Sequence, residues 1–129
     1  MKMILAFILA ALAVASCKPS ESARSKAQFV FVRIPEQVKP VDRGTKYEDP
    51  LDSVLKREAV GEVTGGGTQL SDPDNEGKRS IECVGIDVEL SDFEKGMPIL
   101  KRELLRLGAP PETILEYTRD GQKTEEKLE

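Results

Sequence analysis

The chain has 129 residues, a formal net charge of −4, 33% charged residues and neither histidine nor tryptophan. This length suits one small domain. The lack of histidine excludes a Ser-His-Asp triad, a histidine-based metal site and imidazole acid–base catalysis. The acidic balance argues against non-specific binding to nucleic acid, which requires a basic surface. Composition therefore predicts a small acidic domain that does not bind nucleic acid.

The N-terminus has the pattern of a signal peptide. Lys2 precedes an apolar run from Ile4 to Ala15. As a helix, residues 3–16 reach only about 21 Å, which is shorter than the roughly 30 Å hydrocarbon core of a bilayer. The run ends in Val14-Ala15-Ser16-Cys17, which resembles the bacterial lipobox: an aliphatic residue, two small residues and the obligatory cysteine.

The lipobox resemblance implies a lipid anchor. In the lipoproteins that carry this motif, the cysteine thiol receives a diacylglyceryl group, the leader is cut before it, and the new amine is usually acylated. The resemblance therefore implies lipidation of Cys17 and essentially permanent anchoring in the bacterial cell envelope. In enteric bacteria, an Asp directly after the lipidated cysteine resembles a signal for retention in the inner membrane. Lys18 occupies that position here, which slightly favours the periplasmic face of the outer membrane. An ordinary signal peptide with a chance cysteine is the alternative.

The chain divides into four parts. We expect a lipoprotein signal peptide over residues 1–16, a flexible polar tether over residues 17–28, a folded domain over residues 29–118 and a polar charged tail over residues 119–129. If Cys17 is lipidated, Cys83 is the one free thiol, so no intramolecular disulfide can form.

The first predicted elements are a strand, a loop and a helix. β-Branched and aromatic residues predict a strand over residues 29–34. Residues 35–48, with two prolines and a glycine, are expected to form a loop. Asp49 as N-cap, followed by Pro50, predicts a helix that ends near residues 59–61. Its buried stripe comprises Leu51, Val54, Leu55 and Ala59.

A hairpin is predicted next. Residues 61–70 are expected to form a strand with a glycine-rich bend, and turn-forming residues occupy 71–77. Residues 80–90 predict the following strand, whose apolar side chains fall on one face and whose acidic side chains fall on the other. The apolar face comprises Val84, Ile86, Val88 and Leu90. The opposite face comprises Cys83, Gly85, Asp87 and Glu89.

The last predicted elements complete the fold. Ser91-Asp92-Phe93-Glu94 forms a capping box before a second helix, Gly108 ends that helix, and residues 113–118 form the last strand. The order β-α-β-β-α-β, with right-handed crossovers, predicts a ferredoxin-like α+β sandwich. Its four-stranded antiparallel sheet has the order 4-1-3-2, with two helices on one face and the other face open.

The glycine-rich strand is the most unusual candidate site. Each glycine in a strand costs about 0.5–1 kcal/mol relative to alanine, which suggests that another backbone or a ligand approaches closely. The spacing matches neither a P-loop nor a dinucleotide-binding fingerprint. The alternative is a bulged edge strand that bends with the sheet. The candidate binding residues are Thr64, Gly65, Gly66, Gly67 and Thr68.

An acidic pair is the second candidate site. Asp87 and Glu89 lie two residues apart on the predicted open face, where two carboxylates can serve in acid–base work or bind a hard cation. Solvated acidic positions are the alternative, with Arg33 placed to neutralise Asp87. Cys83 lacks a local group that would lower its pKa, so we expect it to be a packing residue.

These features favour a binding module over an enzyme. We expect the open face and the glycine-rich strand to contact a protein or other ligand, for example as an immunity lipoprotein contacts a toxin, or to contact a second copy of the chain. The alternatives are a structural envelope lipoprotein with no specific ligand, and an enzyme that uses Asp87 and Glu89. We expect neither a cofactor nor a metal.

Overall fold

The computed structural model describes residues 27–129, so Cys17, the expected signal peptide and most of the expected tether lie outside the described residues. Among the described residues, no helix is long and apolar enough to cross a bilayer. The elements in chain order are β1 (Gln28–Ile34), α1 (Pro40–Arg43), a π-helical segment (Gly44–Glu48), α2 (Asp49–Arg57), β2 (Gly61–Leu70), β3 (Ile81–Leu90), α3 (Phe93–Arg106), β4 (Ile114–Arg119) and β5 (Gln122–Lys127).

The strands form one antiparallel sheet in an α+β fold. The order is β2-β3-β1-β4-β5, so the sheet has five strands and not the four that the sequence predicts. The first four strands nevertheless stand in the predicted order. The central strand, β1, pairs with β3 on one side and β4 on the other, which places Phe31 between Asp87 and Glu116.

The core lies between the helices and one face of the sheet. The apolar face of β3 is buried as predicted, because Val84, Ile86, Val88 and Leu90 are all inaccessible to solvent. The helices contribute Leu51, Leu55, Leu100 and Leu104 to the same cluster. No helix of residues 27–129 covers the opposite face of the sheet.

Residues 35–48 are not a simple loop. They are helical from Pro40 onward and continue through the π-helical segment, in which the Asp49 N–H reaches the Gly44 carbonyl. Asp49 is therefore not an N-cap, since its φ of −63° and ψ of −50° are helical. The buried Tyr47 hydroxyl donates to the Glu36 carboxylate. Burial and this carboxylate raise the pKa of Tyr47 well above its usual range, so the hydroxyl stays protonated and keeps its hydrogen bond.

The expected polar tail is largely a strand. Asp120 and Gly121, with φ angles of 52° and 76°, form a two-residue hairpin turn that leads into β5. The Glu126 carboxylate pairs with Lys101 of α3 and accepts from the Tyr117 hydroxyl at 3.1 Å. Buried Leu128 then closes the edge of the core. The expected tail is therefore polar and charged as predicted, but residues 122–127 are paired in the sheet, and the sequence did not predict this fifth strand.

Both ends of α3 are close to the prediction. Asp92 is the N-cap, because its side chain accepts from the Lys95 N–H at 3.1 Å, so the helix begins one residue after the start that a capping box on Ser91 implies. Gly108, with a φ of 85°, follows the helix as predicted and adopts the left-handed conformation that glycine favours.

Candidate functional site

Strand pairing places the polar and aromatic residues of the open face in rows. One row joins Glu62, Glu89 and Phe29 across three strands. The next row joins Gly65, Asp87, Phe31, Glu116 and Glu125, and a third joins Gly67, Gly85, Arg33, Ile114 and Lys127. We call the residues of these three rows the open face.

Two phenylalanines lie at the centre of the open face. Phe29 is 52% exposed, although it lies on the central strand. The ring of Phe31 lies over Gly85, where an added Cβ would come within 2.5 Å of Phe31 Cζ. A hollow of about 500 Å³ lies beside both rings and is also lined by Glu116 and Lys123. The open face therefore presents aromatic carbon next to charged groups.

Two carboxylates lie beside these rings on β3, and a third lies one strand further away on β2. Asp87 and Glu89 occupy the open face as predicted, and strand pairing adds Glu62, which sequence reasoning missed. None of the three forms an ion pair with another side chain of residues 27–129. Arg33 pairs with Glu116 at 3.0 Å, so the expectation that it neutralises Asp87 is wrong. The β2–β3 side of the open face is therefore acidic.

The acidic side does not form a metal-binding cluster within residues 27–129. No three cysteine, aspartate or glutamate side chains of this part of the chain converge as they would around a metal ion. Oxygen-liganded cations such as Ca²⁺ take six to eight ligands, roughly. This part of the chain therefore offers such a cation fewer than three convergent carboxylates.

The three consecutive glycines have different surroundings. A Cβ at Gly65 would lie 3.2 Å from Asp87 Oδ2, and a Cβ at Gly67 would meet nothing within 4 Å. Gly66 faces the helices, where a Cβ would overlap the Glu48 carboxylate and lie 3.0 Å from the Gly85 carbonyl oxygen. A register shift at Thr64 confirms the alternative of a bulged edge strand. The Thr64 hydroxyl donates to the Asp87 carbonyl at 3.3 Å.

Gly66 makes room for a polar cluster that holds the helices onto β2. Arg43 Nε donates to Glu48 Oε1 at 2.8 Å, and Arg43 Nη1 donates to Thr68 Oγ1 at 2.7 Å. The i→i+5 bonding of the π-helical segment brings residues five apart onto one side, as this ion pair requires. Gly66 and Thr68 therefore serve the architecture, whereas Gly65 and Gly67 belong to the open face.

Cys83 is half-buried at the edge of the open face, as expected of a packing residue. Its thiol donates to Gln69 Oε1 at 3.3 Å. Burial raises the pKa of this thiol, and the nearby Arg33 offsets that effect in part. A raised pKa keeps the sulfur in its less reactive thiol form.

Comparisons with known proteins assign the chain to no family. The sequence matches no protein-family model and no curated protein. One solved structure to which the chain is similar is a phage SAM lyase in complex with S-methyl-5′-thioadenosine. The TM-score is 0.43 at 11% sequence identity, over 79% of this chain and 90% of that chain. A likeness at this level carries no argument about function.

Proposed function

We propose that this chain is a lipid-anchored protein of the bacterial cell envelope whose folded domain is a non-catalytic protein-binding module. The open face is its contact surface. The observation that supports this most directly is the 52% exposure of Phe29, which lies on the central strand of a sheet face that residues 27–129 leave uncovered. Phe29 and Phe31 line the same hollow, so the exposed apolar surface is contiguous. Contiguous apolar surface is typical of interaction sites, and aromatic residues are common in the cores of interfaces.

The charges beside Phe29 favour a basic partner. Glu89 lies next to Phe29, Glu62 lies beyond Glu89 in the same row, and Asp87 lies in the adjoining row. A partner that presents lysine or arginine around an apolar side chain would cover the ring and neutralise the carboxylates together. Such electrostatic complementarity raises the association rate and makes it sensitive to salt. The proposal assigns Asp87 and Glu89 to binding.

The lipobox resemblance supports the anchor. Cys17 is the lipidated residue in this proposal, and the periplasmic face of the outer membrane is the slightly favoured location. Mass spectrometry of the mature protein is expected to find Cys17 as the first residue, with acyl chains attached. A mature chain that keeps Met1, or an unmodified Cys17, would contradict the anchor and leave the open-face proposal standing.

We also propose that β1–β4 and the helices form a ferredoxin-like unit to which β5 adds an edge strand. The sheet order β2-β3-β1-β4 supports this, because it is the order expected of that fold. The fold hosts many unrelated functions, so it does not select among partners.

Photo-crosslinking in living bacteria tests the binding surface. A photoreactive phenylalanine analogue at Phe29 is expected to trap a discrete partner protein. The same analogue at Leu105, which is 40% exposed on α3, is the matched control and is expected to trap none. Glu89→Lys should then weaken the Phe29 crosslink severalfold. Equal crosslinking from both positions, or none from Phe29, would overturn the proposal.

A further inference from the structure

The two edges of the sheet differ in charge. The edge strand β5 carries four charged residues among its six, whereas the edge strand β2 carries one, Glu62, among its ten. Charged side chains on an edge strand prevent it from pairing with another chain. The β5 edge is therefore protected, and the β2 edge lacks this protection.

Within residues 27–129, helix side chains hydrogen-bond to the backbone of β2 only in the first part of the strand. Asp52 of α2 accepts a hydrogen bond from the Val63 N–H at 3.0 Å, and the bulge at Thr64 follows. Both features prevent a neighbouring strand from pairing with that part. Residues 66–70 follow the bulge and carry no charge. We call these five residues the free edge.

An exposed aliphatic side chain lies at the end of the free edge, where Leu70 is 49% exposed. The guanidinium of Arg43 in α1 donates to Thr68 of the free edge. Burial of such apolar area would favour association, at roughly 25 cal/mol per Å².

We propose that the free edge pairs with the free edge of a second copy of this chain, antiparallel and centred on Thr68. In this register Thr68 lies opposite its own counterpart, Gly67 lies opposite Gln69, and Gly66 lies opposite Leu70. Each glycine then faces a residue that has a side chain, and cross-strand threonine pairs are favourable. Residues 66–70 carry no charge, and Arg43, which donates to Thr68, is paired with Glu48, so two copies can meet without unpaired like charges at the contact.

This pairing has a consequence for the open face. An antiparallel pair of identical strands has a two-fold axis normal to the sheet, so the ten-stranded sheet of the dimer presents both open faces on one side. A dimer can therefore engage two copies of a partner, or one partner at two points, with the gain in avidity that linkage brings. The inference goes beyond the proposed function and does not rest on it.

Disulfide trapping tests the pairing in the full-length chain. Directly opposite residues of antiparallel strands have Cα atoms roughly 4.5–5.5 Å apart. This distance lies within the span of about 4.4–6.8 Å that a disulfide accepts. In a Cys83→Ser background, oxidation of the Thr68→Cys variant is expected to give a band of twice the monomer mass. The amount of this dimer should be at least about tenfold higher than in the Cys83→Ser chain that keeps Thr68. Glu125→Cys on β5 is the matched control and is expected to give none.

A pair of variants tests the register and guards against misfolding of Thr68→Cys. Gly67→Cys has open space around it, and co-expression with a differently tagged Gln69→Cys should give a mixed dimer. Leu70→Lys should abolish trapping at position 68, because it places a charge on each edge near the axis. Glu125→Lys should leave that trapping unchanged.

Each other outcome overturns the dimer. Trapping from Glu125→Cys but not from Thr68→Cys, or no trapping from any of these positions, would show that the free edge does not self-pair. A trapped product of another mass would show that an extended segment of a different protein occupies the edge. Loss of the dimer on Phe29→Ser would move the contact to the open face, which contradicts this inference and leaves the proposed function intact.

Discussion

Adjacent glycines in β2 are expected to respond oppositely to the same substitution. Gly66→Ala places a methyl group where the Glu48 carboxylate lies, and 3.0 Å from the Gly85 carbonyl oxygen. The carboxylate can swing away, but its hydrogen bond from Arg43 is then lost. Gly67→Ala places a methyl group in open space. The two variants differ in which face of β2 they fill and share the same change in composition.

The magnitudes follow from burial of the ion pair. The side chains of Arg43 and Glu48 are 15% and 24% exposed, so the pair is largely but not fully shielded. A hydrogen bond to a charged group contributes about 1.5–3 kcal/mol, and this exposure indicates the lower end. Replacing glycine by alanine in a strand raises the free energy of unfolding by about 0.5–1 kcal/mol. Gly66→Ala should therefore lower the free energy of unfolding by about 1 kcal/mol, and Gly67→Ala should raise it by about 0.5 kcal/mol.

Thermal unfolding followed by circular dichroism measures the difference. For a domain of this size, 1 kcal/mol corresponds to a shift in Tm of about 4–8 °C. The control is a double-mutant cycle, since Gly66→Ala should cost little in a Glu48→Ala background. Equal Tm values for Gly66→Ala and Gly67→Ala would refute the assignment of Gly66 to the ion pair. So would an undiminished effect of Gly66→Ala in the Glu48→Ala background.

Three further predictions concern the tail, an acidic residue and the open face. Leu128→Ala should lower the free energy of unfolding by about 2–3 kcal/mol, because Leu128 is buried; a solvated tail would give no change in urea unfolding. Arg106 lowers the pKa of Glu103, so the charged form stabilises the fold; this contribution is present at neutral pH and lost as the pH falls below roughly 4.3. Glu103→Gln should therefore reduce stability by about 1 kcal/mol at pH 7 and flatten the decline measured in acid. Phe29→Ser should leave Tm nearly unchanged and reduce partner crosslinking, so a large loss of Tm would show that the ring stabilises the fold.

The elements with strong apolar periodicity were predictable, and those held by polar contacts were not. The buried alternation of β3 and the apolar spacing of Leu51, Val54 and Leu55 in α2 identified both elements close to their observed limits. Ala59, the last residue of the predicted stripe, is exposed and lies beyond the helix. In β5, Glu126 is held by its ion pair with Lys101 and by a hydrogen bond from the Tyr117 hydroxyl. The strand therefore has no apolar pattern that would identify it from the sequence. The Asp120-Gly121 turn was the local signal that could have revealed it, since this dipeptide favours two-residue hairpins.

The candidate site depends on pairings that no local pattern contains. Phe29 lies opposite Glu89, although they are far apart in sequence, and the register also brings Glu62 into the same row. Sequence reasoning identified Asp87 and Glu89 from alternation within one strand. It had no means of adding Glu62, because the partner of a strand residue is fixed only when the sheet forms.

The bulge at Thr64 decides which glycines belong to the site. With unbroken alternation, Glu62 would share a face with Gly66, and Gly65 would lie on the core side with Val63. The extra residue at Thr64 reverses the later part of β2, so that Glu62 joins Gly65 and Gly67 on the open face. Gly66 then turns towards the helices and leaves space for the Glu48 carboxylate. A single inserted residue thus turns Gly66 towards the Arg43–Glu48 ion pair and places Gly65 and Gly67, which have no side chains, on the open face.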